Sequence, residues 1–231
     1  MSIIKELLFP RRCPVCDRPT PWGEYICPGC RGKLVSLGRS YCLKCGKGLS
    51  REEWEYCADC RRYPHVFDRG RSLYTYESAA GAVFRLKYKG RQEYADFFAE
   101  EWYRELKDTI AAWKIDLIVP VPLHKSRQRQ RGYNQAELLA KALGRRLGLP
   151  VCGQCVIRSR KTTSQKQLNR AERQNNLKNA FKIGEVDVQL KIILIVDDIY
   201  TTGSTADAVA AVLKTAGASR VYLLTLAAGM E

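Results

Sequence analysis

The sequence predicts an α/β protein, a parallel sheet flanked by helices with a small cysteine-rich part ahead of it, and three observations carry that prediction. Short apolar runs alternate with helical periodicities from residue 69 onward. A strand, an acid pair, a hydroxyl-rich turn and a helix follow one another in register over residues 193–205. Eight of the ten cysteines fall into four Cys-x-x-Cys pairs within residues 13–60. The 231 residues are 45% hydrophobic, enough for an ordinary core in one or two domains. No apolar run approaches the ~20 residues of a membrane span.

In chain order, Ile3, Ile4, Leu7 and Leu8 predict a brief amphipathic helix, which carries Glu6 and is too short for a signal peptide. A cytoplasmic protein is expected. The cysteine pairs follow: Cys13/Cys16, Cys27/Cys30, Cys42/Cys45 and Cys57/Cys60. Thiolates two residues apart present both sulfurs to one ion, and two such knuckles close a tetrahedral four-thiolate zinc site. Residues 11–31 and 40–61 read as two copies of one unit, so tandem zinc ribbons with two structural Zn²⁺ are expected. Sequential ligation is the simpler pairing; an interleaved one stays open. A segment of ~60 residues with so little aliphatic content needs the metal to fold. Residues 1–65 are read as this ribbon part and 66–231 as the α/β part. His65 falls in the connection 61–68, where a structural role is expected.

In the α/β part, strands are expected over 69–75, 116–121, 154–158, 192–197 and 220–227. Helices are expected over 78–88, 91–112, 133–147, 170–179 and 204–217. Helix 133–147 places Ala136, Leu139, Leu143 and Leu147 on one face, and Val209, Val212, Leu213 and Ala216 do the same in 204–217. Gly148 and Gly217 stand where helix stops belong. Such alternation implies βαβ units with right-handed crossovers. The fifth pair, Cys152-Gly-Gln-Cys155, stands alone and reads as two thiols beside a strand start.

At the carboxyl end of strand 192–197, Asp197 and Asp198 enter the crevice where open α/β sheets bind ligands, and two adjacent acids suit a polyol. Thr201, Thr202, Gly203, Ser204 and Thr205 form a turn without bulky side chains at the start of a helix. Its free N–H groups, its hydroxyls and the helix dipole suit a phosphate. No Gly-x-x-x-x-Gly-Lys-Ser/Thr is present, which excludes a P-loop. The whole run, Asp-Asp-Ile-Tyr-Thr-Thr-Gly-Ser-Thr including Tyr200, resembles the phosphoribosyl-pyrophosphate (PRPP) motif of type I phosphoribosyltransferases. That resemblance implies that the acids hydrogen-bond the ribose hydroxyls and the turn wraps the 5′-phosphate.

The net charge of +15 is concentrated: residues 123–173 hold 13 basic residues against Glu137 and Glu172. The first run, Lys125, Arg127, Arg129 and Arg131, directly follows the strand ending Val-Pro-Val-Pro, whose end should share the crevice with Asp197. Such a surround suits a pyrophosphate and would also accept a nucleic-acid backbone. The runs 119–135, 160–168 and 172–181 are similar to the ComF family of competence proteins, which joins zinc-ribbon cysteines to a type I phosphoribosyltransferase domain. The resemblance covers essentially the whole chain. It implies a type I phosphoribosyltransferase-like sheet with a small N-terminal zinc-ribbon domain, and a pyrophosphate loop at Leu123, His124 and Lys125 with Arg131 close by. It also implies a basic flexible hood over about 158–173 offering Thr162, Ser164, Gln165, Lys166 and Arg173.

Asp197, Asp198, Lys125 and Arg131 would then serve displacement of pyrophosphate from PRPP with Mg²⁺. The biology implied is natural competence, the internalisation of transforming single-stranded DNA beside a helicase-like ATPase. A non-catalytic factor that binds single-stranded DNA and uses the pocket as a ligand sensor is the alternative. Glutamine-dependent ammonia transfer uses an N-terminal nucleophilic cysteine; with Met1-Ser2 leading into zinc ribbons, that activity is not expected of this chain alone. Lys87-Tyr88-Lys89-Gly90 is a candidate border of the acceptor pocket.

Overall fold

The structure, a computed structural model, describes residues 10–159, Leu177 and 179–231. The helix expected over residues 3–8, the hood residues Thr162, Ser164, Gln165, Lys166 and Arg173, and nearly all of the helix expected over 170–179 lie outside the described residues.

Four strands, β1 (Arg69–Thr75), β2 (Leu117–Pro120), β5 (Ile192–Tyr200) and β6 (Arg220–Ala228), form one sheet in the order β1-β6-β5-β2, with all pairs parallel. Val119 faces Ile195 across one pair and Asp197 faces Thr225 across the next. A strand covered on both faces can be apolar throughout, as Ile193 to Val196 are. Its side chains alternate between two cores: Ile193 and Ile195 enter one, Leu194 and Val196 the other.

After the short helix α1 (Ala58–Arg62), helices α2 (Tyr76–Tyr88), α3 (Tyr94–Ala112) and α5 (Gln135–Leu147) cover the Leu194/Val196 face with Leu86, Phe98, Trp102, Leu139 and Leu143. Among the described residues the opposite face has one long helix, α6 (Ser204–Thr215), contributing Val209 and Leu213. The second cysteine unit joins the same core through Leu37, Cys42, Cys45, Leu49 and Cys57 with Phe67 beyond it, as do Val156 and Phe181. Gly70 permits this contact, because a Cβ there would lie 2.9 Å from the Cys45 carbonyl oxygen. The last residues close the same layer: Glu231 N–H donates to Gly48 O at 3.1 Å and Ala58 N–H to Glu231 Oε1 at 2.6 Å.

Three expectations are corrected. The strand expected over 154–158 does not join the main sheet. β3 (Val156–Arg158) pairs antiparallel with β4 (Phe181–Ile183), an element the sequence reading lacked. Ile157 points outward there, 45% exposed, while Val156 and Arg158 point inward, so this short run has a one-sided pattern rather than that of a strand buried on both faces. The basic run after β2 is helix α4 (Lys125–Arg131), not a loop. Its residues are good helix formers, the His124 side chain accepts from Ser126 N–H at the N-terminus, and Gly132 (φ +84°) ends it in the left-handed region. Cys152 and Cys155, read as two thiols, are joined in a disulfide.

Candidate functional site

The eight N-terminal cysteines form two clusters, Cys13/Cys16/Cys27/Cys30 and Cys42/Cys45/Cys57/Cys60, each with all four sulfurs within 4.8 Å of one another. Ligation is therefore sequential. Four sulfurs at ~2.3 Å from one Zn²⁺ stand about 3.8 Å apart. The Cys16–Cys27 and Cys45–Cys57 sulfur separations are 3.6 and 3.8 Å, so both clusters fit structural zinc. The first unit docks on α2 and α3 through polar contacts. Arg91 binds the Asp17 carboxylate at 2.7 and 2.9 Å, Tyr94 OH donates to it at 2.7 Å, and Arg85 donates to the carbonyls of Pro14 and Val15. The Arg91 hydrogen bond, helped by Tyr94 and opposed by partial burial, holds the Asp17 carboxyl below its ordinary pKa.

The second candidate site is a cavity of about 950 Å³ beyond the carboxyl ends of β2 and β5. The β5 end supplies Asp197, Asp198 and Tyr200, and the turn into α6 supplies Thr201, Gly203, Ser204 and Thr205. Gly203 sits at φ +77° as the residue preceding α6, a conformation L side chains rarely adopt. The Thr202 hydroxyl lies 2.9 Å from that of Ser204, although Thr202 is not among the lining residues. Asp198 is buried and pairs with Lys87 at 2.6 Å, while its N–H donates to Asp197 Oδ1 at 2.8 Å. Burial, and then the Asp198 charge, push the Asp197 carboxyl up to about 8 against the pull of the Asp198 N–H and of Lys87. A cation or a set of hydroxyl donors placed there would favour both charges at once.

The lining also carries basic side chains. Arg127, Gln130 and Arg131 lie three and four residues apart, on one face of α4, and line the cavity with Leu123. Of the expected loop residues, His124 and Lys125 are not among the lining residues. The His124 ring is used as the cap of α4 and Lys125 is exposed at its first position. Arg158, in β3, adds a third guanidinium, 93% buried and 5.3 Å from the Phe181 ring centroid. Burial and then Arg127 lower its pKa to about 10, opposed by Asp197, and leave it charged at neutral pH. The sequence reading named Arg127 in the basic run but not as a site residue, whereas its helical spacing from Arg131 was available as a signal. The remaining border includes Tyr76, Lys87, Tyr88, Gly90 and Tyr133, with the Arg131 guanidinium 4.9 Å from the centre of the Tyr88 ring. No helix among the described residues is long and apolar enough to cross a membrane.

Residues 4–61 match the Double zinc ribbon domain family and residues 99–231 the Phosphoribosyl transferase domain family. The chain is 32% identical to the DNA utilization protein YhgH of Escherichia coli K12, over 95% of this chain and 98% of that one. It is 30% identical to Competence protein F of Haemophilus influenzae, over 87% of this chain and 90% of that one. It is 29% identical to Competence protein ComFC of Bacillus subtilis, over 79% and 75% respectively.

Proposed function

This chain belongs to the phosphoribosyl transferase domain family, within the double-zinc-ribbon group of competence and DNA utilization proteins, and on that premise we propose that it binds PRPP and acts in the cytoplasmic handling of transforming single-stranded DNA. The observation that carries the reading is that one cavity is lined both by an acid pair with a hydroxyl-rich turn at a helix start and by Arg127, Arg131 and Arg158. The acids and the turn suit ribose 5-phosphate, the guanidinium groups a diphosphate. Residues 66–231 would form most of the ligand-binding part, with residues 1–65 the ribbon part packed against it and adding Lys47 to the cavity.

The reaction supported is displacement at C1 of PRPP. The bond from C1 to the diphosphate oxygen breaks, a bond to an acceptor nucleophile forms, and pyrophosphate leaves with the bonding electron pair. Asp197 and Asp198 position the ribose hydroxyls, and the three guanidinium groups stabilise the charge developing on the leaving diphosphate. Carboxylate oxygens suit a hard cation, so Mg²⁺ carried by PRPP fits beside Asp197 and Asp198, where it would supply further neutralisation of the diphosphate. Thermal stabilisation by PRPP with Mg²⁺, combined with pyrophosphate release across nucleobase and amine acceptors, tests this reading. Stabilisation with release supports it; no stabilisation at millimolar ligand overturns it.

A second reading draws on the surface beside the cavity mouth. Phe84 and Tyr88 are 51% and 56% exposed with ring centres 5.2 Å apart, and Arg131 and the basic α4 adjoin them. Exposed aromatics beside basic side chains suit single-stranded nucleic acid. In this reading the protein is a non-catalytic factor whose pocket senses PRPP while the basic face engages single-stranded DNA, beside a helicase-like ATPase. PRPP binding without pyrophosphate release, together with salt-dependent binding of single-stranded DNA that Tyr88→Ala weakens, is its expected signature.

A further inference from the structure

The connection between the second ribbon and the sheet makes a specific contact with the phosphate turn. His65 lies five residues after Cys60, and its side chain is fully buried. Its Nδ1 is 2.7 Å from Asp207 Oδ2, and its Nε2 is 3.1 Å from the Tyr200 hydroxyl. A carboxylate only accepts, so Nδ1–H donates to Asp207, and in the neutral ring Nε2 accepts from Tyr200 O–H. The next residue repeats the grip: Val66 N–H donates to Asp207 Oδ1 at 2.7 Å. Asp207 stands in the first turn of α6, and its own N–H donates to Gly203 O at 2.8 Å. On the other side the imidazole stacks on Phe67, with ring centres 4.6 Å apart.

Two further observations tie this ring to the cavity wall. A Cβ on Gly203 would lie 2.5 Å from His65 Cε1, so the imidazole packs directly behind the turn. Tyr200, which itself lines the cavity, shares a buried core with Cys45 and Cys57 of the second cysteine cluster. Lys47, from the Cys42–Cys45 knuckle region, also lines the cavity. The second ribbon thus lies against the phosphate end of the site.

We propose that His65 is a positioning residue of the phosphosugar site, through which the second ribbon sets the geometry of the Gly203 turn. The inference rests on the reading of that turn as the seat of a 5′-phosphate and names the device that shapes it. His65 touches no ligand; it fixes Asp207 and Tyr200 so that the turn's N–H groups converge before ligand arrives, which reduces the ordering cost of binding. The ring is held at both nitrogens, by its stacking face and at its Cε1 edge, so its removal frees both ends of the turn.

The test uses the full zinc-loaded chain in wild type, His65→Ala, His65→Asn and Asp207→Asn forms, with two zinc ions per chain verified. The probes are ribose 5-phosphate and inorganic pyrophosphate, measured by calorimetry, together with hydrogen exchange of residues 201–207 without ligand. His65→Ala should weaken ribose 5-phosphate about tenfold, as loss of a buried charge-assisted hydrogen bond implies, and leave pyrophosphate affinity unchanged. Its turn amides should exchange faster. His65→Asn, whose amide can still donate to Asp207, should recover much of both effects, and Asp207→Asn should reproduce part of the loss from the other side. Unchanged exchange over 201–207 in both His65→Ala and Asp207→Asn overturns the inference, as does equal weakening of ribose 5-phosphate and pyrophosphate. Failure of the wild type to bind ribose 5-phosphate or PRPP overturns the phosphosugar reading instead, and the exchange result still decides whether His65 shapes the turn.

Discussion

Asp197 holds its proton unusually tightly because burial and the adjacent Asp198 charge disfavour a second negative charge in the same crevice. Its folded pKa, about 8, lies above the unfolded value of 3.8. The folded state therefore binds the extra proton between those values, and stability falls as pH rises through that window. Asp197→Asn should raise the melting temperature of the ligand-free protein, by more at pH 8 than at pH 5, while weakening PRPP binding; melting curves at the two pH values check this. The acid pair and the turn were legible from the sequence because residue types, spacing and strand context all pointed to one ligand. The Lys87–Asp198 pair and the buried Arg158 were not, since each joins segments far apart in the chain.

At the scale of elements, α4 shows why a basic run needs its secondary structure before its roles can be assigned. As a loop it offered Lys125 and Arg131; as a helix it turns Arg127 and Arg131 inward and leaves Lys125 and Arg129 exposed. Arg127→Ala should weaken pyrophosphate about 10- to 100-fold, the range for a lost charge-assisted bond, with Lys125→Ala near wild type, as calorimetry would read. β4 was missed for the opposite reason, because a three-residue strand carries too little periodicity to be read, so the strand expected over 154–158 was given to the main sheet. The Asp17 clamp belongs to this scale as well. Its carboxyl is held below its ordinary pKa chiefly by Arg91, so its contribution is present above the unfolded pKa and is lost as pH falls through the folded value. Both partners are about 30% exposed, so Asp17→Asn should cost only about 0.5–1 kcal/mol in denaturant unfolding.

For the whole molecule, the second ribbon is a layer of the α/β fold rather than an appendage. Cys42, Cys45, Cys57, Leu37 and Leu49 share a core with Ile193, Ile195 and Leu223. Zinc removal by a chelator should therefore lower the melting temperature of the entire chain and expose sheet surface to a hydrophobic dye, rather than melt a separate small unit. The four knuckles made the zinc centres legible, but spacing alone left two ways of pairing them. It held no sign that one unit would cover the sheet, because that contact depends on Gly70 admitting the Cys45 carbonyl. The central claim, that this scaffold builds a cavity for a phosphosugar diphosphate, is tested most directly by calorimetric titration of PRPP with Mg²⁺ into the zinc-loaded chain. The wild type should bind one PRPP per chain, and Asp197→Ala/Asp198→Ala, with its zinc content intact, should show no heat. Equal binding by both proteins, or none by either at millimolar PRPP, would contradict it.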